Sequence, residues 1–378
     1  MAVVTSNFYR TKLLDLFASL KTTPLFKEME ATVEASPWHR EANVLVHTQM
    51  VVDQYVRLTD EAVDNWSYND LLGGLACAFH DTGKPASKIQ KYRKDRGHYF
   101  AFHGHEMVSS RLFETWAMEN ASLIDDDITA SDIFKVCWMI EHHMPWEIGT
   151  DKRQHLAVTA REMIGVDVYT RTLLADQYGR IADDADAKNT RANEWIEAFK
   201  TMCETVEMPV IDTDAPALFV LIGASGSGKS TLTKELVREL RDVEVFSLDR
   251  LRHEWYDPRE DHEGYANAYA ASVEDKAFES KADAVFSKMV KSGNHIILDN
   301  VNASVKRRGK YIRAARQHGY VVVAYTMPIS VNTLLERQHS RPDKSVPDYA
   351  VRQQYNSISQ PSLGEVDVIV VSAHNMTA

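Results

Sequence analysis

The stretch Ala217-Leu218-Phe219-Val220-Leu221-Ile222-Gly223-Ala224-Ser225-Gly226-Ser227-Gly228-Lys229-Ser230 decides the fold. Its first six residues are an unbroken apolar run closed by glycine, the pattern of a strand buried on both faces. Gly223 to Ser230 then fits Gly-x-x-x-x-Gly-Lys-Ser, a P-loop, and a helical pattern from Ser230 to Leu240 follows. Strand, glycine loop and helix are the context that gives the motif its chemistry. Gly223, Gly226 and Gly228 let the backbone N–H groups around Ser225 and Thr231 turn onto phosphates. Lys229 adds a point charge at the β- and γ-phosphates, and the Ser230 hydroxyl can hold Mg²⁺. ATP or another nucleoside triphosphate with Mg²⁺ is therefore the expected ligand.

Downstream of the loop, strands and helices alternate. Val243 to Leu248, His295 to Leu298, Val321 to Tyr325 and Val366 to Val371 read as strands; Lys276 to Lys291 and Lys306 to His318 read as helices. That alternation predicts a parallel sheet with helices on both faces. Upstream, from about Asn7 to Ala198, the pattern is helical, as in Leu13, Leu14, Phe17 and Leu20, and convincing β-runs are missing. Glu204 to Pro216 lacks periodicity and carries Pro209, Asp212, Asp214 and Pro216. The expected organisation is multidomain: an all-α domain over 1–204, a linker over 205–216 and an α/β P-loop domain over 217–378.

A chain of 378 residues with 44% hydrophobic and 26% charged residues suits a soluble protein of about two domains. No apolar run approaches the roughly 20 residues of a membrane helix, and Met1 to Arg10 lacks the regions of a secretory signal. Cys77, Cys137 and Cys203 are too scattered for a disulfide framework. The expected location is the cytoplasm. A net charge of -11 argues against coating nucleic acid non-specifically. Two basic clusters stand against that background, Lys88, Lys91, Arg93, Lys94 and Arg96, and Lys306, Arg307, Arg308, Lys310, Arg313 and Arg316. Each is read either as a solvated face or as a guide for a phosphate backbone.

The second strand of the α/β half ends in Leu248-Asp249-Arg250-Leu251-Arg252. A carboxylate there can take the proton of an attacking hydroxyl beside the γ-phosphate. Arg252 is a candidate to hold an anionic acceptor, and Asp299, at the end of the His295 to Leu298 strand, stands where such sheets gather acceptor-binding residues. Arg337 and Arg341, one helical turn apart before a proline-bounded loop, suit a lid over the phosphates, where an arginine stabilises transition-state charge. The P-loop, Asp249-x-x-Arg252 and Arg337-x-x-x-Arg341-x-x-Lys344-x-Val346-Pro347 together resemble the phage-type 5′-hydroxyl polynucleotide kinases. The resemblance implies Asp249 as general base, Arg252 on the acceptor's phosphate and Arg341 on the donor's. It does not separate RNA from DNA.

The helical half holds a second constellation: His47, His80-Asp81, His103, His105, His142-His143 and Asp176. Imidazole and carboxylate suit a divalent transition metal, and Mn²⁺, Fe²⁺, Co²⁺, Ni²⁺ and Zn²⁺ all fit. Each such ion lowers the pKa of a bound water and supplies hydroxide for attack on phosphorus. The ordered set resembles the HD phosphohydrolase superfamily. Phe102-His103-Gly104-His105-Glu106 and Ala175-Asp176-Gln177-Tyr178-Gly179-Arg180 are similar to HD domains attached to bacterial tRNA nucleotidyltransferases, which act on 2′,3′-cyclic phosphates and 2′-phosphates. That resemblance implies a first metal on His47, His80, Asp81 and Asp176. A second would take Asp81, His105 and either His142 or His143, with His143 favoured because Met144 follows. His103 is the bystander, and Lys84 reaches the substrate phosphate.

The two halves together resemble the bifunctional HD-Pnk RNA end-healing enzymes. The resemblance implies phosphorylation of 5′-hydroxyl ends and hydrolysis of 2′,3′-cyclic or 2′-phosphate ends, with RNA ends as partners and an RNA ligase acting alongside. A small-molecule kinase fused to an HD nucleotide phosphohydrolase is the alternative; a nucleotide-switched sensor leaves Asp249 and the histidines without a purpose.

Overall fold

A computed structural model describes residues 7–34, 40–94, 97–208, 210–259, 261–341, 344 and 346–376. Arg96 of the first basic cluster, Pro209 of the linker, and Pro342, Asp343 and Ser345 of the lid pattern lie outside them. The chain divides into two compact units between Glu207 and Met208. Among the described residues no helix is long and apolar enough to cross a membrane.

The first unit is built of helices. Tyr68–Phe79 is its axis, buried along nearly its whole length. Its start is set by a capping box in which Ser67 and Asp70 satisfy each other's backbone N–H; Thr129 and Asp132 do the same for Ala130–Glu141. Such caps contribute about 1 kcal/mol each. Gly73 lets a neighbouring helix approach, since a Cβ there would lie 2.2 Å from the Tyr55 hydroxyl. Phe79, Phe113, Phe134 and Trp138 fill the interior around it. His80 and Asp81 follow directly on this axis, which is how a sequence of ordinary core residues delivers them to the middle of the unit.

One feature departs from the helical reading. Ile89–Arg93 (β1) and Gly97–Ala101 (β2) pair as an antiparallel hairpin, in register from Ile89 opposite Ala101 to Arg93 opposite Gly97. Lys91 and Arg93 of the first basic cluster lie on β1, with Lys88 and Lys94 flanking it. The class is unchanged, a helical unit followed by an α/β unit.

The second unit is a five-stranded parallel sheet of β3 (Ala217–Ile222), β4 (Val243–Phe246), β5 (His295–Leu298), β6 (Val321–Thr326) and β7 (Val368–Val371), in the spatial order β4-β5-β3-β6-β7. The apolar run of β3 makes it central. Leu218, Val220 and Ile222 pack on one face with Phe246, Phe286 and Ile312. Phe219 and Leu221 pack on the other with Leu236, Ile297 and Met327. The chain places β4 and β5 on one side of β3 and β6 and β7 on the other, so the crevice at the carboxyl end of β3 is the expected ligand site. The loop of glycines lies there.

The second basic cluster is not one solvated face. Arg308 is fully buried, its guanidinium on Glu365 at 2.6 and 2.9 Å and on the carbonyls of Ala303 and Ser359. Lys310 pairs with Asp283 and Arg316 with Asp367. Half of the cluster therefore anchors the helix Val305–Arg316 to its neighbours.

Candidate active sites

In the first unit, three helices and the ends of two more converge on a buried group of acids and imidazoles. His47 comes from the helix Val44–Ala62, His105 from the start of His105–Glu119, and Asp176 from Val166–Tyr178; His143 follows the end of Ala130–Glu141. Ligand atoms of His47, His80 and Asp81 lie within 4.8 Å of one another, and so do those of Asp81, His105 and His143. Asp81 is common to both sets. Asp176 joins the first, its Oδ1 3.3 Å from His47 Nε2 and 3.9 Å from His80 Nε2.

The orientation of the rings tests whether these residues suit a metal. Each Nδ1 meets a backbone carbonyl: His47 to Gly179 at 3.2 Å, and His80 to Cys77, His105 to Phe102 and His143 to Ile140 at 2.7 Å each. A carbonyl only accepts, so Nδ1 carries the hydrogen and the neutral ring turns an Nε2 lone pair inward. The Nε2 atoms then face each other, His47 to His80 at 3.3 Å and His105 to His143 at 3.4 Å. Neither oxygen of Asp81 accepts a well-aligned hydrogen bond, although His105 lies 3.1 Å from Oδ1, and His80 at 3.1 Å and Lys84 at 2.8 Å from Oδ2. Facing lone pairs and unsatisfied buried carboxylate oxygens are what a cation between them resolves. The residues fit one or two divalent ions.

The electrostatics agree. Burial opposes ionisation of Asp81, yet His80 and Lys84 hold its carboxyl well below the usual range. Burial likewise opposes Asp176, which Arg180 and His47 hold down. Burial also disfavours charge on His47, but Asp176, Glu41 and Asp81 raise it to about 10. The acids draw positive charge inward, and a metal ion answers that demand with His47 neutral. Burial, with His80 and His105 beside it, lowers His143 to about 3 and keeps its lone pair available.

Two of the histidines stay outside. His142 stacks on Trp138 with ring centroids 4.4 Å apart and meets the Trp138 carbonyl at 2.8 Å. His103 lies 2.6 Å from the Lys91 ammonium. Lys84 is buried between Asp81 and Glu34. Glu34 and Glu41 were not among the candidates. They precede His47, the first histidine of the constellation, and only their burial marks them.

In the second unit, a cavity of about 1070 Å³ opens over the P-loop. Gly226 and Gly228 have φ of +93° and +98°, a region open to glycine at no steric cost, and Gly228 caps the helix Lys229–Glu239. Lys229 Nζ donates to the carbonyls of Gly223 and Ala224 at 2.8 Å each. Burial lowers its pKa to about 8. Ser225 N–H donates to Gln354 Oε1 at 3.0 Å, and Thr231, in the first turn of that helix, lines the cavity.

Asp249 lies on the wall of the same cavity. Arg252 donates to its Oδ1 at 2.6 Å, and Lys344 pairs with its Oδ2. Burial would raise its pKa, but Lys344 and Arg252 hold it below the usual range. Asp299 does not sit with Arg252. Its Oδ2 is 3.4 Å from the Ser230 hydroxyl, on the metal side of the loop. Arg252 is tied up by Asp249, Ser272 and the rings of Tyr269 and Phe278, and does not line the cavity. Arg337 and Arg341 do line it, and Arg337 reaches the Gly226 carbonyl at 3.3 Å. Lys344 of the quoted lid motif joins them, as do Arg250, Tyr265 and His374, none of them named as a site residue from the sequence. Arg250 lies inside the quoted motif, and its place one residue after Asp249 was the available signal.

Residues 218–361, wholly within the second unit, match the family model described as AAA domain. No curated protein matches the chain. Among solved structures the chain is similar to one described as "Structure of the Pnkp1/Rnl/Hen1 RNA repair complex", at 18% identity and a TM-score of 0.32. The similarity covers 39% of this chain and 45% of that one, so the chain spans less than half the length of that relative. The second unit carries a P-loop domain.

Proposed function

We propose that the protein heals RNA ends with two sites, an ATP-dependent 5′-hydroxyl kinase over residues 217–378 and a metal-dependent phosphoesterase over 1–204. The observation that carries the kinase reading is Asp249. One cavity holds the P-loop lysine, two lid arginines and a carboxylate already ionised. A nucleotide switch needs no such base beside its phosphates, whereas a phosphotransferase does.

In this reading Asp249 accepts the proton of the 5′-hydroxyl as its oxygen bonds to the γ-phosphorus. The bond from that phosphorus to the bridging oxygen of ADP breaks, and its electron pair leaves with ADP. Arg252 positions Asp249 through their ion pair. Lys229 and Arg341 bear on the charge spreading over the transferred group. Ser230 and Asp299 would hold Mg²⁺, which would offset charge on the same phosphates.

In the helical unit, His47, His80, Asp81 and Asp176 would hold one divalent ion, and Asp81, His105 and His143 a second. A divalent ion held there would supply Lewis-acid activation of water near neutral pH. Lys84, beside Asp81, supplies a charged donor to a phosphate oxygen. Cleavage of many RNAs leaves a 5′-hydroxyl and a 2′,3′-cyclic phosphate. Conversion of both yields the 5′-phosphate and free hydroxyls that a ligase joins.

The test is an oligoribonucleotide with a 5′-hydroxyl and a 2′,3′-cyclic phosphate, incubated with ATP and each of Mg²⁺, Mn²⁺, Co²⁺, Ni²⁺ and Zn²⁺. Both ends are expected to change. Retention of both by folded protein refutes the reading.

A further inference from the structure

The kinase cavity has two walls. On one, Arg337 bonds Gly226 and the side chain of Asn375, and a Cβ on Gly228 would meet His374 at 3.3 Å. On the other stand Asp249, Arg250, His253, Glu254, Pro258 and Tyr265. In a kinase the γ-phosphate lies nearest the base, so the donor's nucleoside leaves toward the lid and His374. The Asp249 wall is then left to the acceptor. A volume of about 1070 Å³ lies at the top of the about 300–1,000 Å³ range of single-ligand clefts, which leaves room for both.

Resting on the kinase reading above, we propose that this wall is a base-stacking subsite for the terminal nucleotide of a polynucleotide acceptor, built by Tyr265, Arg250 and His253 and continued outward by Tyr269. Tyr265 is one ammonium away from the reacting carboxylate. Lys344 Nζ sits 4.7 Å over its ring and pairs with Asp249. The ring meets His253 at 6.0 Å, tilted by 43°, and stacks on Tyr269 at 6.3 Å and 28°. Tyr269 is 49% exposed, so the row of rings runs from the cavity to solvent.

Of the two tyrosines at i and i+4 on the helix His262–Glu274, Tyr265 packs its inner edge on the core, but Tyr269 is half in water and core packing does not explain it. An aromatic row beside cations is how proteins hold single strands without reading sequence. The phosphate contact falls to Arg250 rather than Arg252. Arg252 is held by Asp249, Ser272 and two rings, whereas Arg250 is exposed, lines the cavity and pairs with no described residue.

The experiment is steady-state phosphoryl transfer from ATP by the full chain. The acceptors are a short 5′-hydroxyl oligoribonucleotide and a nucleoside 3′-monophosphate; the variants are Tyr265→Ala, Tyr265→Phe, Tyr269→Ala and Arg250→Ala. Tyr265→Ala is expected to raise KM for both acceptors about ten- to a hundredfold, the size of one base stack, with the KM for ATP little moved. Tyr265→Phe recovers most of that loss. Tyr269→Ala weakens the oligonucleotide and spares the mononucleotide, and Arg250→Ala weakens both acceptors. A raised KM for ATP with unchanged acceptor KM overturns the proposal, because the wall then holds the donor's base. Unchanged KM for both substrates overturns it too. If Tyr265→Ala does not fold, the ratio of the two acceptors in Tyr269→Ala decides. A wild type that phosphorylates no nucleic-acid acceptor refutes the kinase reading itself. A wild type that does so while Tyr265→Ala is unimpaired refutes the subsite alone.

Discussion

Replacing Asp81 with asparagine removes the one carboxylate shared by the two buried sets of ligands in the helical unit. Asparagine keeps the size and one acceptor oxygen but not the charge. His105 and His143 belong to the second set only. If both sets hold ions, wild type retains about two per chain, His105→Ala about one and Asp81→Asn close to none. The stability effect follows from linkage. At free metal about a thousandfold above Kd, binding to the folded state contributes about 4 kcal/mol. For a unit of this size about 1 kcal/mol moves Tm by about 2–4 °C, so metal should raise the melting of the helical unit by about 8–16 °C. Asp81→Asn should lose most of that gain, and His105→Ala part of it. Elemental analysis of dialysed protein gives the stoichiometry. Thermal melts with and without a chelator give the shift, and neither depends on activity. Equal metal content in Asp81→Asn and wild type, or a wild-type melt that ignores both chelator and added ions, refutes the reasoning.

Asp249→Asn should reduce phosphoryl transfer about 10²–10⁴-fold while a fluorescent nucleotide still binds, since it removes the base and leaves the P-loop. Lys344→Met should shift the acid limb of the kinase pH profile upward. Lys344 is the foremost group holding the Asp249 carboxyl below its usual range against burial, so its loss raises that pKa and the base is protonated at higher pH; rates from pH 4 to 8 check the direction, about half a unit being resolvable. Charge reversal at Lys91, Arg93 and Lys94 on the hairpin should weaken oligonucleotide hydrolysis and reduce its salt slope by up to about 2, at about 0.7 for each phosphate no longer neutralised, while a small phosphodiester is hydrolysed as before. Arg308→Met should cost about 3–5 kcal/mol in denaturant unfolding of the kinase unit, because Glu365 is left without its guanidinium partner.

The P-loop was legible because its chemistry is contiguous. Glycines, lysine and serine act within eight residues, and the apolar run before them can only be a strand buried on both faces. The hairpin was not, since Ile89-Gln90-Lys91-Tyr92-Arg93 lacks strand alternation, sets its two apolar residues three apart and buries neither face. His142 and His143 are neighbours that differ only in helical phase. Trp138, four residues back, stacks on His142 and leaves His143 to turn inward. Pairings across long stretches were the other blind spot. Ser230 meets Asp299 69 residues away, Arg308 meets Glu365 at 57, and Lys344 meets Asp249 at 95. No periodicity carries that information, because it is decided by which strand ends the sheet order brings together.

Arg252 is the exception, since its fate was readable locally. It stands three residues after Asp249, on a helix that begins at Leu248, and that spacing puts a carboxylate and a guanidinium on one face. An ion pair satisfies both groups there and competes with any incoming phosphate. Arg250, one residue after Asp249, points off that face and stays out of the pair. The motif names an arginine for the acceptor, and helix geometry argues that a different one is available to it. Phosphoryl transfer by Arg250→Ala and Arg252→Ala separates the two. Loss in acceptor KM belongs to the residue that holds the phosphate, and loss in kcat with a displaced acid limb belongs to the one that holds Asp249.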